Sequence, residues 1–480
     1  MKTKKLQSIL RGYFKSRSII ILITIAYTFI ILFLLINRFL QYEVFYYDHG
    51  YTESAIYQAS KFQMPLWDRE GKAYAFVDHF YLSVLLLYSP FFWLFDSYLT
   101  SIIIFSILMG ITPLIGYEIG VALKLKKFII YSLLFAFMFF IGFQNTIIFF
   151  VKDVSSSVPF LMLLFLAFIT RKRLLYFLLV FFTLGFRENL AIAIFSLGIY
   201  IFIFEKDWRK EGLYTALIGF FYALIVAKII VPYFIFKSFG RHGSYMFQPD
   251  FGSSLTYFIT AFFDTAQKRE TIFVSFLNFG FLPLIHPLGW IMALQDFVQR
   301  FVLQGATPLR TGLNVYYSAT LSVLFFVSSL LSFQKLQNKL GEKTKYIVAI
   351  FIVLTVIFLH RFVYHGPFGL IYNPDFLNIT KNMTFMDEFV NEIPRSGKIM
   401  VQNNLAVRFT HDDYYILSSE DYFQKIRPDV IALDYRPGQN INNYWPMTEG
   451  KMKNLAYFIK NDSDYKLIFE EEYRYIFVKN

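Results

Sequence analysis

The residues able to do chemistry in this chain are few, and each sits beside an apolar run. They are Asp48-His49, Asp78-His79, Lys152-Asp153, Arg187-Glu188-Asn189, Arg241-His242 with Tyr245, and the stretch Gln295 to Tyr317. Ionisable groups next to hydrocarbon are costly, so their positions are the best pointers to function. Asp48 lies in the aromatic stretch Phe45-Tyr46-Tyr47-Asp48-His49-Gly50-Tyr51. A carboxylate held against aromatic walls has a raised pKa and suits a general base acting on a sugar hydroxyl. Arg187 carries the planar fork that grips a phosphate bidentately, a task for which guanidinium is better than ammonium.

Each group also has a plain structural use. Asp48 could cap an interfacial helix, His79 could be a hydrogen-bond donor, Arg187 and Glu188 could anchor a helix, and Arg241 to Tyr245 reads as a loop. His286 and His365, beside prolines, read as helix-end residues. No His/Asp/Glu spacing forms a metal motif, and no Ser-His-Asp triad can be assembled without arbitrary choices. With no Cys in the chain, thiol catalysis, thiolate metal sites and disulfides are excluded.

The elements that must position these groups are membrane helices. Of 480 residues, 56% are hydrophobic and only 17% charged, with a mean hydropathy of +0.47. A water-soluble chain of this length could not hide so much apolar surface. A first span follows the basic N-terminus, over Ser18–Asn37, and is too long for a signal-peptide core. Residues 38–79 form a long first outer loop. Apolar runs follow at 80–95, 99–119, 129–150, 158–170, 174–186, 189–204, 213–236, 271–285, 287–303, 315–333 and 346–363. Basic clusters at Lys124/Lys126/Lys127, Arg171/Lys172/Arg173, Lys206/Arg209/Lys210 and Lys335/Lys339/Lys343/Lys345 mark cytoplasmic ends. They agree with the N-terminal cluster only if the 80–95 run, short and interrupted by Pro90, is re-entrant or interfacial. About 11 crossings result, with the N-terminus cytoplasmic and the chemically capable groups at the outer ends.

The net charge of +12 divides unevenly: residues 364–480 carry −3 and residues 1–363 carry +15. The basic excess therefore belongs to the membrane part, where it faces anionic lipid, and nucleic acid is not an expected partner. From residue 364 apolar and polar residues alternate. Thr380 can cap a helix over 382–392, ended by Pro394, and strand-like runs follow at 398–401, 414–417, 429–434, 465–469 and 473–478. The expected fold is mainly α: a polytopic helical membrane domain over 1–363 and a small soluble α/β domain over 364–480 on the outer face. No internal repeat, phosphate-binding glycine loop or paired half-helix pattern is present.

Asp48-His49-Gly50 after the first span, His79-Phe80 opening a run with Ser89-Pro90, and Arg187-Glu188-Asn189-Leu190 at a span start together resemble a family of prokaryotic predicted membrane proteins. That family is known as a domain of unknown function and is grouped with the GT-C glycosyltransferases. The likeness extends through His242 and Tyr245, Tyr316-Tyr317-Ser318-Ala319 and Gln402-Asn403-Asn404-Leu405 to Val430–Asp434. The chain departs from the family where Lys-Glu-Asp is usual at Arg187-Glu188-Asn189, His-Tyr at Tyr316-Tyr317, and Asp-Phe-His-Pro at Asp153 to Ser156.

The resemblance implies a bacterial inner-membrane transferase using a polyprenyl-phosphate sugar as donor, with a glycan, lipid or protein acceptor entering from the periplasmic or extracellular side. In the GT-C pattern a first-loop carboxylate is the base while the sugar is displaced with inversion. Asp48 would then be the base and Arg187, His79, Arg241 or His242 would sit near the phosphate, with Glu188 orienting Arg187 or the sugar. Tyr245 and Tyr317 would line the substrate pockets. Asp48, Asp153 and Glu188 could hold a divalent metal, although no metal ligand is assigned. Two other classes compete: a lipid or lipid-linked glycan transporter, which needs a polar path between both leaflets, and a non-catalytic scaffold whose soluble domain binds glycan or protein.

Overall fold

The computed structural model describes residues 2–67, 74–75, 79–235, 255–303 and 307–480, with backbone alone at 2–15, 66–67, 74–75, 232–235, 255 and 303. The chain is mainly helical, with a small C-terminal sheet region. Five helices are long and apolar enough to cross a membrane: Ser16–Leu40, Thr100–Ala122, Lys206–Val231, Pro308–Leu336 and Glu342–Val363. A sixth is obtained if Lys127–Met138 and Ile141–Ile148, bent by 52°, form one span. The difference from the 11 crossings expected lies largely in the apolar helices of 10–17 residues, among them Asp153–Ile169, Arg173–Leu184 and Leu190–Phe204.

Burial ranks the long helices. In Pro308–Leu336, 89% of the most apolar stretch is buried, against 28% in Ser16–Leu40, so the former is the central post and the latter lines the rim. The central helix is rich in serine, and its hydroxyls are satisfied locally: Ser322 donates to the Ala319 carbonyl at 2.6 Å and Ser329 to that of Phe325 at 2.6 Å. Ser332 instead reaches across to the Leu282 carbonyl at 2.6 Å. Side-chain amides do similar work elsewhere in the body, Asn278 donating to the Ala136 carbonyl at 2.9 Å and Asn145 to that of Leu313 at 2.9 Å. Without water, such partners are what a buried backbone carbonyl requires.

The bundle has two unlike ends. One is laced by ion pairs between the basic clusters and nearby acids: Arg17 with Glu118, Lys126 with Glu342 at 2.6 Å, Arg171 with Glu205, and Arg173 with Glu211 at 2.8 Å. The Arg17–Glu118 pair brings the N-terminal cluster to the same end as Lys124, Lys126 and Lys127. Leu82–Phe92 explains how this is possible. At 11 residues it rises roughly 16 Å, about half of a bilayer's hydrocarbon core. Residues at both of its flanks contact the other end of the bundle: His79 meets Glu188, and Asp96 meets His411 of the sheet region at 3.2 Å. The 80–95 segment therefore runs along that end without crossing, packed on the helix Tyr51–Ser60 through Ser89 donating to the Ile56 carbonyl at 3.1 Å and Trp93 to that of Ser60 at 2.6 Å.

The sheet region has five strands, β3 (Ile399–Val401), β4 (Tyr414–Ile416), β5 (Val430–Asp434), β6 (Tyr465–Glu471) and β7 (Arg474–Lys479), in the order β4-β3-β5-β7-β6. A separate pair, β1 (Leu66–Trp67) and β2 (Tyr74–Ala75), lies in the first loop. β3 is parallel to both β4 and β5, while β7 is antiparallel to β5 and β6. Alternation along the strands divides the core. Ile399, Val401, Val430 and Ala432 pack with Met386 and Phe389 of the helix Lys381–Glu392. Met400, Ile431 and Leu433 pack with Phe423, Met452 and Leu455 on the opposite face. Thr380 caps Lys381–Glu392 as expected, accepting from the Met383 N–H at 3.2 Å.

Tyr42 and Tyr46 of the first loop belong to the core that faces Lys381–Glu392. Arg408 donates to the Phe39 carbonyl at 2.9 Å and lies over the Phe39 ring at 3.7 Å. Asn37 donates to the Phe376 carbonyl at 2.9 Å. The sheet region is thus seated on the end of the first span by apolar packing and by directed hydrogen bonds.

Candidate functional site

Asp48 sits on a single wide helical turn, Tyr46–Gly50, leading into Tyr51–Ser60. The turn is held from the sheet region. The Tyr46 N–H donates to the Asn403 carbonyl at 3.0 Å, and the Tyr47 N–H to the Asn403 side-chain oxygen at 3.3 Å. From the body, the Lys152 ammonium donates to the Tyr47 carbonyl and to the Tyr51 hydroxyl, each at 2.8 Å, and lies over the Tyr51 ring at 4.2 Å. Asp48 itself is half-buried. Burial raises its carboxyl above the ordinary value of 3.8, and the charges of Lys152 and Arg38 only partly oppose this.

Beside Lys152 begins a second group, drawn from three distant segments. Arg187 and Glu188 occupy the turn between Arg173–Leu184 and Leu190–Phe204. Glu188 takes a hydrogen bond from His79 Nδ1 at 2.6 Å and one from the Phe80 N–H at 3.2 Å. Arg187 donates through one terminal nitrogen to His79 Nε2 at 3.0 Å and through the other to Asp153 at 3.2 Å. A guanidinium has no acceptor, so His79 Nε2 must present its lone pair and the ring proton must lie on Nδ1, facing Glu188. The histidine is therefore a fixed strut between carboxylate and guanidinium. Burial alone would raise the Glu188 carboxyl, but the hydrogen bond from His79 and the charge of Arg187 oppose it and hold the group below its ordinary value of 4.5. Arg187 is shifted up: its burial opposes the charge, and Asp153 and Glu188 restore it.

Tyr316 and Tyr317 close the far side. Their rings lie 4.6 Å apart and tilted, with Lys152 5.3 Å and Arg187 6.0 Å from the Tyr316 ring centre. Next to Tyr317 a cavity of about 30 Å³ is lined by Arg187, Asn189, Gln295, Asp296, Gln299 and Arg300. Arg300 is tied to Asp296 at 3.2 Å and to the Gly312 carbonyl at 2.6 Å, which fixes the chain leading to Tyr316.

Of the residues singled out from sequence, His79, Asp153, Arg187 and Glu188 form one connected cluster, and Lys152, next to Asp153 in the chain, holds the turn that carries Asp48. Tyr317 lies at its edge. Arg241, His242 and Tyr245 lie outside the described residues. Among the described residues no group of three or more His, Cys, Asp or Glu is arranged to hold a metal ion. His286 accepts from the Leu288 N–H at 3.3 Å and caps its helix, as its place before Pro287 suggests.

Two contributors were not singled out as site residues. Lys152 was visible only as the neighbour of Asp153, and its role as the link to the Asp48 turn depends on folding. Asn403 stood out only within the Gln402-Asn403-Asn404-Leu405 likeness, which assigned it no role.

No curated protein matches the chain. The family model described as "Predicted membrane protein (DUF2079)" matches residues 39–472, from the end of the first span through nearly the whole sheet region, and the chain belongs to that family.

Proposed function

We propose that this protein is a GT-C-like glycosyltransferase, moving a sugar from a polyprenyl-phosphate donor to an acceptor hydroxyl on the outer side of a bacterial inner membrane. The N-terminus is cytoplasmic and the sheet region periplasmic or extracellular. The observation that carries this reading is a half-buried carboxylate with a raised pKa, Asp48, on a turn held by Lys152, whose chain neighbour Asp153 holds with His79 the Arg187 guanidinium. A proton acceptor and a pre-set cationic group on adjoining elements are what displacement of a sugar from a phosphate requires.

In the reaction, Asp48 takes the proton of the acceptor hydroxyl as that oxygen attacks the anomeric carbon. The bond from that carbon to the phosphate oxygen breaks, its electron pair leaves with the phosphate, and the configuration inverts. Arg187, with Lys152 beside it, stabilises the charge gathering on the departing phosphate. His79, Glu188 and Asp153 are positioning residues that hold Arg187 without leaving a buried charge unpaired. A transporter would call for a comparable polar path towards the basic end, where Glu118, Glu205, Glu211 and Glu342 are engaged in ion pairs with basic residues.

The test is to incubate purified protein with several polyprenyl-phosphate sugars and candidate acceptors and to look by mass spectrometry for a sugar-sized increment. Equal product yield from wild type and Asp48→Asn would remove Asp48 as the base.

A further inference from the structure

The connections of the sheet region diverge at one place. After β3 the chain turns towards β4 at one edge, and after β5 it departs towards β6 and β7 at the other. The parallel neighbours β3 and β5 therefore leave a crevice at their carboxyl ends, the position where open α/β sheets bind ligands. A cavity of about 360 Å³ opens there, between the loops that follow the two strands and the end of the first span, within the size range of small-ligand sites.

Its lining is unusual for its side-chain amides: Asn382, Asn404, Gln439, Asn440 and Asn443 all face it. Its cation, Arg436, is already matched, while its carboxylate, Glu43, is met by an amide. Arg436 grips Asp434 with two hydrogen bonds, at 2.9 and 2.7 Å, and Glu43 accepts from Asn440 at 3.3 Å. Gly438, at φ +80°, turns the Arg436–Asn440 loop back over the opening, a backbone conformation that suits glycine. Asn443 donates to Gln439 at 2.6 Å, while its own side-chain oxygen is buried and accepts from no group among the described residues. A buried acceptor in that state calls for a donor from a ligand.

We propose that this crevice binds a neutral polyhydroxylated ligand, a sugar unit. Amides offer donors and acceptors side by side, which matches hydroxyl groups, and with Arg436 already paired to Asp434 and the Glu43 carboxylate in the lining nothing favours an anion. The crevice also adjoins the Asp48 turn. Asn442, in the same loop, accepts through its carbonyl from the Asn403 side chain at 2.7 Å, and Asn403 is the residue that holds Tyr46 and Tyr47. On the transferase reading, from which this one step borrows, the occupant is the acceptor glycan.

Binding is measured by saturation-transfer NMR and calorimetry on the full chain in detergent micelles, without donor. The probes are glucose, mannose, N-acetylglucosamine and maltose, with glucuronate and inorganic phosphate as anionic controls. At least one neutral sugar binds wild type with a Kd of about 1 mM or tighter, and the Asn382→Ala/Asn440→Ala double variant, altered only at exposed positions, binds roughly tenfold more weakly. Asn443→Leu, which removes the unsatisfied acceptor, weakens binding by a similar factor with an unchanged unfolding midpoint. No neutral sugar binding, tighter binding of the anions, or equal binding by the double variant would each overturn the proposal. Asp48→Asn separates the two readings: wild-type transfer by that variant removes the base, while undiminished sugar binding by it still supports the crevice.

Discussion

Two buried arginine–carboxylate networks stand at the same end of the molecule and are built in opposite ways. In the sheet region, Asp434 is gripped by Arg436 and Gln439, two and five residues along the chain. In the membrane body, Arg187 reaches Asp153 and His79 over separations of 34 and 108 residues. The first is a loop device that forms as soon as its own turn forms. The second exists only once helices from different parts of the bundle have packed. A local network can be kept for stability alone, whereas one assembled over such distances, beside a carboxylate raised by burial, has the marks of a site whose geometry is under a functional demand.

The sharpest way to break this contrast is to remove the base. Asp48→Asn lowers transfer by about 10²–10⁴ in single-turnover assays with a polyprenyl-phosphate sugar, whereas Asp434→Asn lowers the unfolding midpoint and leaves transfer at saturating acceptor within a few-fold. If both variants lost transfer to the same degree, the two networks would not be functionally distinct. Next comes the guanidinium. Arg187→Ala costs about 10²–10³ in rate and, by leaving Asp153 and Glu188 buried without their cation, also roughly 3–5 kcal/mol of stability by denaturant titration. Arg187→Lys restores charge but not the fork, and recovers stability more fully than rate.

Smaller effects test the link between the regions. Asn403→Ala frees the Tyr47 N–H and the Asn442 carbonyl but keeps the backbone bond to Tyr46, and transfer falls about tenfold through misplacement of Asp48 while the Asp434 network, followed by the fold of the sheet region, is kept. The smallest effect is on pH dependence. The raised Asp48 carboxyl favours the protonated folded state, so its contribution is present at low pH and lost as pH rises through its folded pKa; Asp48→Asn therefore raises the unfolding midpoint at pH 7 and gives no gain below about pH 4. Glu188 acts in the opposite sense. Its carboxyl is held below 4.5, so its contribution is complete above the ordinary value and is lost only as pH falls through the lowered folded value.

The sequence made much of the sheet region legible because its signals are local. Thr380 announces a cap, Pro394 an end, and the alternating runs mark β3 to β7, which the structure places within a residue or two of the expected bounds. Sheet order was not legible, since nothing in the runs tells β7 to pair between β5 and β6. In the body, cost singled out the polar residues, and His79, Asp153, Arg187 and Glu188 did converge. The use of Lys152 as a bridge, and of His79 as a strut with its proton on Nδ1, depends on tertiary distances that no spacing encodes.

The hold of Asn403 on the Asp48 turn has a consequence for the order of events in biogenesis. The turn is made early and Asn403 more than 350 residues later, in a loop after β3, whose sheet is completed by β6 and β7 roughly 60 residues further on. A chain emerging from the ribosome N-terminus first inserts its helices well before that sheet can close. During that interval the turn lacks its clamp. Partly made or truncated chains would hence carry the Asp48 turn without the contact that sets its backbone, and the clamp arrives only with the sheet region.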